Sequence, residues 1–182
     1  LHLICILFFQ YSLCTLLCNT ARANEFTTPL NSDGYILHWM ILGTFPNVGT
    51  DSHQSCRGFD TDYLIAAGGE ENHNPTVGLT VNSKQWRIAI AESNGFVDLN
   101  KLFTAPDWVV GYAAGYLISD KKQAVILNFG SDDGIKVWLN HKLIWNKHTG
   151  RGYTAGQDKI EVTLNAGKNL ILVKIEEGNG GW

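Results

Sequence analysis

Ser131-Asp132-Asp133-Gly134-Ile135-Lys136-Val137-Trp138-Leu139-Asn140-His141-Lys142-Leu143-Ile144-Trp145 is the stretch whose reading decides the fold. Ile135, Val137 and Leu139 fall on one side of an extended chain, and Lys136, Trp138 and Asn140 on the other. That period of two marks a half-buried strand. Asn140-His141-Lys142 supplies turn chemistry before a second extended run, so the pair reads as a β-hairpin. Residues 159–177 repeat the design: Ile160, Val162 and Leu164 alternate, 165–169 turn, and 170–175 return as an apolar run. Antiparallel hairpins in series predict an all-β antiparallel β-sandwich (jelly roll) of about eight or nine strands.

Upstream, residues 35–42 form an apolar run around Trp39, expected as a buried strand ending near Gly43 and Pro46. Residues 47–71 are polar, glycine-rich and aperiodic, a long loop of the kind that often carries function. Short strands are expected at 77–81 and 85–91, a turn or short helix at 96–103, and further strands at 108–118 and 125–129. In 108–118, Trp108, Val110, Tyr112, Ala114, Tyr116 and Ile118 share a face. The expectation is an aromatic stripe packed on the opposite sheet, with a sugar platform as the alternative.

Residues 3–17 are almost wholly apolar, and Ala21-Arg22-Ala23 is a small-x-small cleavage pattern. Residues 1–23 therefore read as a secretory signal peptide and 24–182 as a single domain. The run is short for a membrane span, which takes about 20 apolar residues. The expected location is secreted, periplasmic or extracellular, with no membrane contact after cleavage. Cys5, Cys14 and Cys18 would leave with the leader; Cys56 would have no partner, so stability would rest on packing. The 182-residue chain carries 14 basic and 17 acidic residues, net −3. Without a basic run, nucleic acid and anionic membranes are poor partners. Gly178-Asn179-Gly180-Gly181-Trp182 resembles the opening of another strand, so the native protein is expected to continue.

No Gly-x-Ser-x-Gly, P-loop or dinucleotide fingerprint is present. Asp51, His53 and Cys56, with His73 far away, fall short of a zinc set. Asp60, Asp62, Glu70 and Glu71 crowd one loop without identifying a catalytic pair. The expectation is a non-enzyme.

The run 130–145, with Asn146-Lys147-His148, Arg151-Gly152-Tyr153, Gln157-Asp158-Lys159 and Gly167-Lys168-Asn169, resembles the galactose-binding-like and PA14-like β-sandwich domains. Trp39-Met40-Ile41-Leu42-Gly43-Thr44-Phe45-Pro46-Asn47 and residues 58–64 resemble their opening strand and first loop. The resemblance covers most of 36–182. It departs at the hairpin turn, where Asn140-His141 replaces the usual Asn-Gly and puts His where a positive φ is less readily adopted. Such domains accompany secreted carbohydrate-active proteins, so the resemblance implies a carbohydrate-binding or accessory role, a glycan or polysaccharide partner, and a possible catalytic domain downstream.

Two candidate sites follow. Trp145, His148, Arg151, Tyr153 and Asp158 combine flat aromatic faces for sugar C–H stacking with planar polar groups for hydroxyls; the alternative is a core Trp145 and a structural Arg151–Asp158 ion pair. Asp132 and Asp133 are candidate metal ligands, for calcium as the cofactor. Their alternative is a turn made by Asp, with Gly134 as its left-handed residue. The functional expectation is a non-catalytic glycan-binding or accessory module. A structural or adhesion domain bracing a neighbouring enzyme domain is the alternative, and a polysaccharide-active enzyme is third.

Overall fold

A computed structural model describes residues 2–8, 26–47, 57–104 and 107–180. Its strands are β1 (His2–Phe8), β2 (His38–Pro46), β3 (Thr80–Val81), β4 (Lys84–Gln85), β5 (Arg87–Ile90) and β6 (Val97–Asp98), followed by β7 (Val109–Ser119), β8 (Gln123–Gly130), β9 (Ile135–Leu139), β10 (Lys142–Lys147), β11 (Asp158–Leu164) and β12 (Gly167–Glu177). The helix α1 (Leu99–Phe103) is capped by Asp98, whose side chain accepts from the Lys101 amide, the standard relief for an orphan amide at a helix start. Every strand pairing is antiparallel. The chain is therefore all-β and sandwich-like, as its alternation predicts. The strands among the described residues outnumber the eight or nine expected, because 80–98 breaks into short pieces and His2–Phe8 adds one.

A six-stranded sheet runs β10-β9-β12-β7-β2-β5, and a four-stranded sheet runs β11-β8-β1-β6. Between them lies a core that includes Trp39 and Ile41 from β2, Val137 from β9, Ile171, Val173 and Ile175 from β12, and Leu127 and Phe129 from β8. The segment expected to leave as a leader thus contributes a strand, pairing with 126–130 of β8 and 97–98 of β6; residues 9–25 lie outside the described ones. At the β9–β10 turn Asn140 and His141 have φ of 49° and 72°, the paired left-handed residues of a type I′ turn, whose twist matches the flanking strands. The Asn140 side chain steadies it, accepting from the Leu170 amide at 2.9 Å and donating to Asn169 at 2.9 Å.

The aromatic stripe of β7 faces the other way from the expectation. Val109, Ala113 and Leu117 meet the second sheet. Val110, Tyr112, Ala114 and Tyr116 lie on the outer face in a second cluster with Met40, Leu42, Leu64, Trp86, Trp138 and Leu172. Gly115 makes room for Thr28 of the lead-in segment, where a Cβ would lie 2.7 Å from its Oγ1, and the aromatics are covered by the loop 57–86. This second burial explains why β12 is buried continuously from Leu170 to Glu177.

Charge also pins the loop. Lys174, fully buried, donates to Glu70 Oε1 at 2.9 Å and to the Thr61 carbonyl at 2.5 Å. Its ammonium lies 5.4 Å from the Tyr112 ring centroid and 5.6 Å from that of Tyr63, and the Tyr112 hydroxyl donates to the same Glu70 oxygen at 2.6 Å. Burial lowers the Lys174 pKa, and the Glu70 charge opposes that fall. Breaking one side of such a buried pair strands the other charge and costs about 3–5 kcal/mol. Lys174→Met is therefore expected to lower stability by that amount and to open 57–86 to protease; wild-type melting and an uncut loop would refute the clamp.

Candidate functional site

Strand registers bring four chain ends together at one pole of the six-stranded sheet. Pro46 and Glu177 both pair with Val109, and Ile135 pairs with Ile175. The turn 131–134 enters β9 here, and its buried Asp133 is the hub. One carboxylate oxygen accepts from the Arg151 amide and the other from the Gly178 amide, each at 2.8 Å. Its own amide donates to the Glu176 carbonyl at 3.0 Å, and its carbonyl accepts from Ser131 Oγ and Arg151 Nε. A carboxylate holding main-chain amides from two segments is a charge-assisted tie. Gly134 is required for room rather than for a left-handed φ: a Cβ there would lie 2.5 Å from Glu176 Oε2 and 3.1 Å from Phe59 Cε2.

The five residues of the candidate ligand face have distinct roles. Arg151 Nη1 donates to Asp158 Oδ1 at 3.1 Å, Nη2 donates to Asp158 Oδ2 and to Ser131 Oγ, and the Asp158 side chain is almost wholly buried. This forked pair fastens the loop after β10 to the start of β11. Trp145 packs half-buried on the core, its Nε1 without a hydrogen-bond partner. His148 stacks on Phe59 with centroids 4.3 Å apart and places Nε2 3.1 Å from Glu176 Oε1. Tyr153 is the exception: half-exposed, it meets Phe96 edge-on at 5.7 Å. Burial raises its hydroxyl pKa, as does nearby Tyr35. Its main-chain amide bonds the carboxyl of Asp132. A half-exposed ring pair, Phe96 and Tyr153, thus adjoins a carboxyl group, with Tyr35 nearby.

The loop carboxylates are also engaged. Asp60 pairs with Lys136 at 2.7 Å, Asp62 accepts the Leu64 and Glu70 amides, and Glu70 holds Lys174. His73 Nε2 accepts from Trp86 Nε1 at 2.9 Å while Nδ1 faces the Ala67 carbonyl, which fixes one neutral tautomer. Desolvation depresses its pKa further. Asp51, His53 and Cys56 lie outside the described residues.

Glu177 and Asp132 bear on the metal expectation. Glu177 is 1% exposed, and its Oε2 has no hydrogen-bond partner. Burial, with the charges of Asp133, Asp132 and Asp107 adding to it, lifts its pKa to about 7. Asp132 is raised too, by burial first and then by Asp133. The Asp133 oxygens are already engaged by two amides, so a calcium ion here would draw on Asp132 and the orphaned Glu177 oxygen. Among the described residues, no three His, Cys, Asp or Glu side chains converge into a ligand set.

Trp108 is the residue at this pole whose backbone the alternation does not foretell. It has φ 61°, a left-handed conformation that is an outlier for a bulky residue. The main chain fixes it there: its amide donates to the Gly178 carbonyl at 2.7 Å and its carbonyl accepts from the Asn47 amide at 2.9 Å. Comparison with known proteins returns no family model, curated protein or solved structure that matches the chain.

The Glu177 shift has a definite sign. The unfolded carboxyl releases its proton near 4.5 and the folded one near 7. Across that window the folded chain holds the extra proton, so stability falls as pH rises, by about 1.4 kcal/mol per unit. It levels off above pH 7. In chelator-treated buffer, Glu177→Gln is expected to flatten this decline and to melt higher than wild type at pH 8. Parallel wild-type and variant profiles would overturn the assignment.

Proposed function

We propose that this chain is a secreted, non-catalytic accessory module that binds glycan at the Tyr153 pole of the sandwich. The observation supporting this is the half-exposed Phe96–Tyr153 ring pair beside Asp132. Aromatic edges and faces suit pyranose C–H groups, and a neighbouring carboxyl orients hydroxyls. Arg151 and Asp158 act beneath the ring pair as its frame. Jelly-roll topology of the galactose-binding-like or PA14-like kind and a catalytic domain in the same protein belong to this reading, as does export through cleavage before Asn24, which would take β1 out from between β8 and β6. No helix among the described residues is long and apolar enough to cross a membrane.

Calcium belongs to the same proposal. Asp132 and the Glu177 oxygen that lacks a partner would be two of the several oxygen ligands the ion requires, at a place where carboxylates crowd.

A second reading, a brace for a neighbouring domain, is favoured by the edge strand β5, where Ile88 and Ile90 are 53% and 70% exposed. Exposed apolar residues on a strand edge invite a protein partner.

Glycan retention and melting of variants separate the two. Tyr153→Ala is expected to weaken binding about tenfold, one stacking contact's worth, with little change in melting. Arg151→Ala is expected to lower stability, since it strands the buried Asp158. Chelation is expected to lower the melting temperature, excess calcium to restore it by mass action, and Asp132→Asn to abolish that response. Absence of retention on every glycan, with normal folding, would leave the bracing role.

A further inference from the structure

At the same pole a groove of about 440 Å³ runs between the end of β2, the β3–β4 hairpin and the start of β7. Its volume lies in the range of small-molecule sites. Phe45 and Pro46 line it from β2, Asn82 and Lys84 from the hairpin, and Asp107 and Trp108 from just before β7. Phe45 is stiffened from behind by Tyr63, stacked at 4.7 Å, whose hydroxyl also donates to the Pro46 carbonyl. Asn82 is anchored by its amide nitrogen to the Tyr63 carbonyl at 2.6 Å, which leaves its side-chain oxygen as an acceptor. Lys84 and Asp107 are exposed and make no ion pair among the described residues.

We propose that this groove is a second glycan subsite, taking a neutral pyranose unit against Trp108 with its hydroxyls on Asn82, Lys84 and Asp107. The side-chain classes are those a sugar demands: a broad aromatic surface for C–H contact, and both donors and acceptors for hydroxyls. One cation and one anion leave the groove without net charge, which selects a neutral sugar over a polyuronate. The left-handed Trp108, held by main-chain bonds from Gly178 and Asn47, gives the aromatic surface a rigid base, as a stacking platform requires. Gly178 also joins this groove to the Tyr153 side of the pole, because its amide is held by Asp133 while its carbonyl holds Trp108. Two subsites on one rigid pole suit a polymer rather than a single sugar. The inference rests on the glycan reading but assigns a separate set of residues, so the two can fail separately.

The test is affinity electrophoresis of the full chain in native gels cast with galactomannan, xyloglucan, amylopectin or polygalacturonate. The expected result is retardation in at least one neutral gel. That retardation falls about tenfold or more in Trp108→Ala and about threefold in Lys84→Ala and Asp107→Ala. The last two, being surface changes, are expected to melt within about 2 °C of wild type, so they decide the matter if Trp108→Ala loses stability. Retardation unchanged in all three variants but lost in Tyr153→Ala would overturn the groove and keep the glycan reading. Retardation by polygalacturonate alone, lost in Lys84→Ala, would overturn the neutral-sugar class. No retardation of the wild type in any gel would overturn both.

Discussion

The buried Asp133 carboxylate, shared between the Arg151 and Gly178 amides, is the bond on which this pole of the molecule depends. A buried carboxylate is tolerated only where its oxygens are satisfied, and here they are satisfied by main chain from two separate segments. Satisfying them therefore fixes where the loop after β10 and the end of β12 must lie. From Gly178 the same logic continues. Its carbonyl holds Trp108, Trp108 holds Asn47, and the Asn47 side chain donates to Glu176 Oε1 at 2.8 Å. Glu176 returns to the turn through its main-chain bonds to Asp133 and Gly134. The result is a closed ring of hydrogen bonds around the pole, with both proposed glycan subsites mounted on it.

The second constraint lies on the outer face of the six-stranded sheet. Most half-exposed antiparallel sheets show polar residues to water; here β12 sends Lys174 and Glu176 outward and buries both. Their partners come from the covering loop and from His148. Phe59 lies between the two systems, stacked on His148 and facing the Lys136 ammonium at 4.6 Å. The loop is thus a third layer whose position is set by charge, and it supports the walls of the groove through Tyr63.

Much of the sandwich was legible in the sequence because its strands alternate. The run 135–147 declared its hairpin, Asn140-His141 its turn, and 159–175 its pair of strands. The loop 57–86 was opaque because its order comes from side-chain anchors such as Asp62 on the amides of Leu64 and Glu70, which leave no period. The facing of β7 was misjudged because alternation tells which residues share a side and not which side is covered; the buried charges in Leu170-Ile171-Leu172-Val173-Lys174-Ile175-Glu176-Glu177 were the available clue. Sequence placed Asp132 and Asp133 in one candidate site and Arg151 and Asp158 in another; the structure joins the two through Arg151, which bonds both Asp133 and Asp158. Sequence offered a frame and a ligand face as alternatives for the Arg151–Asp158 pair, and their burial favours the frame. The left-handed backbone of Trp108 had no sequence signal, since its cause is hydrogen bonding to residues 47 and 178.

Amide hydrogen exchange on Asp133→Asn, read together with its melting temperature, tests the hub most directly. An amide side chain has one acceptor oxygen where the carboxylate has two, so one of the two main-chain N–H groups must lose its partner. The variant is expected to melt about 5–10 °C lower, corresponding to about 2–3 kcal/mol, with faster exchange at Arg151, Gly178 and Trp108 together. Melting within about 1 °C of wild type, with exchange at those three amides unchanged, would contradict the claim that Asp133 holds the pole together.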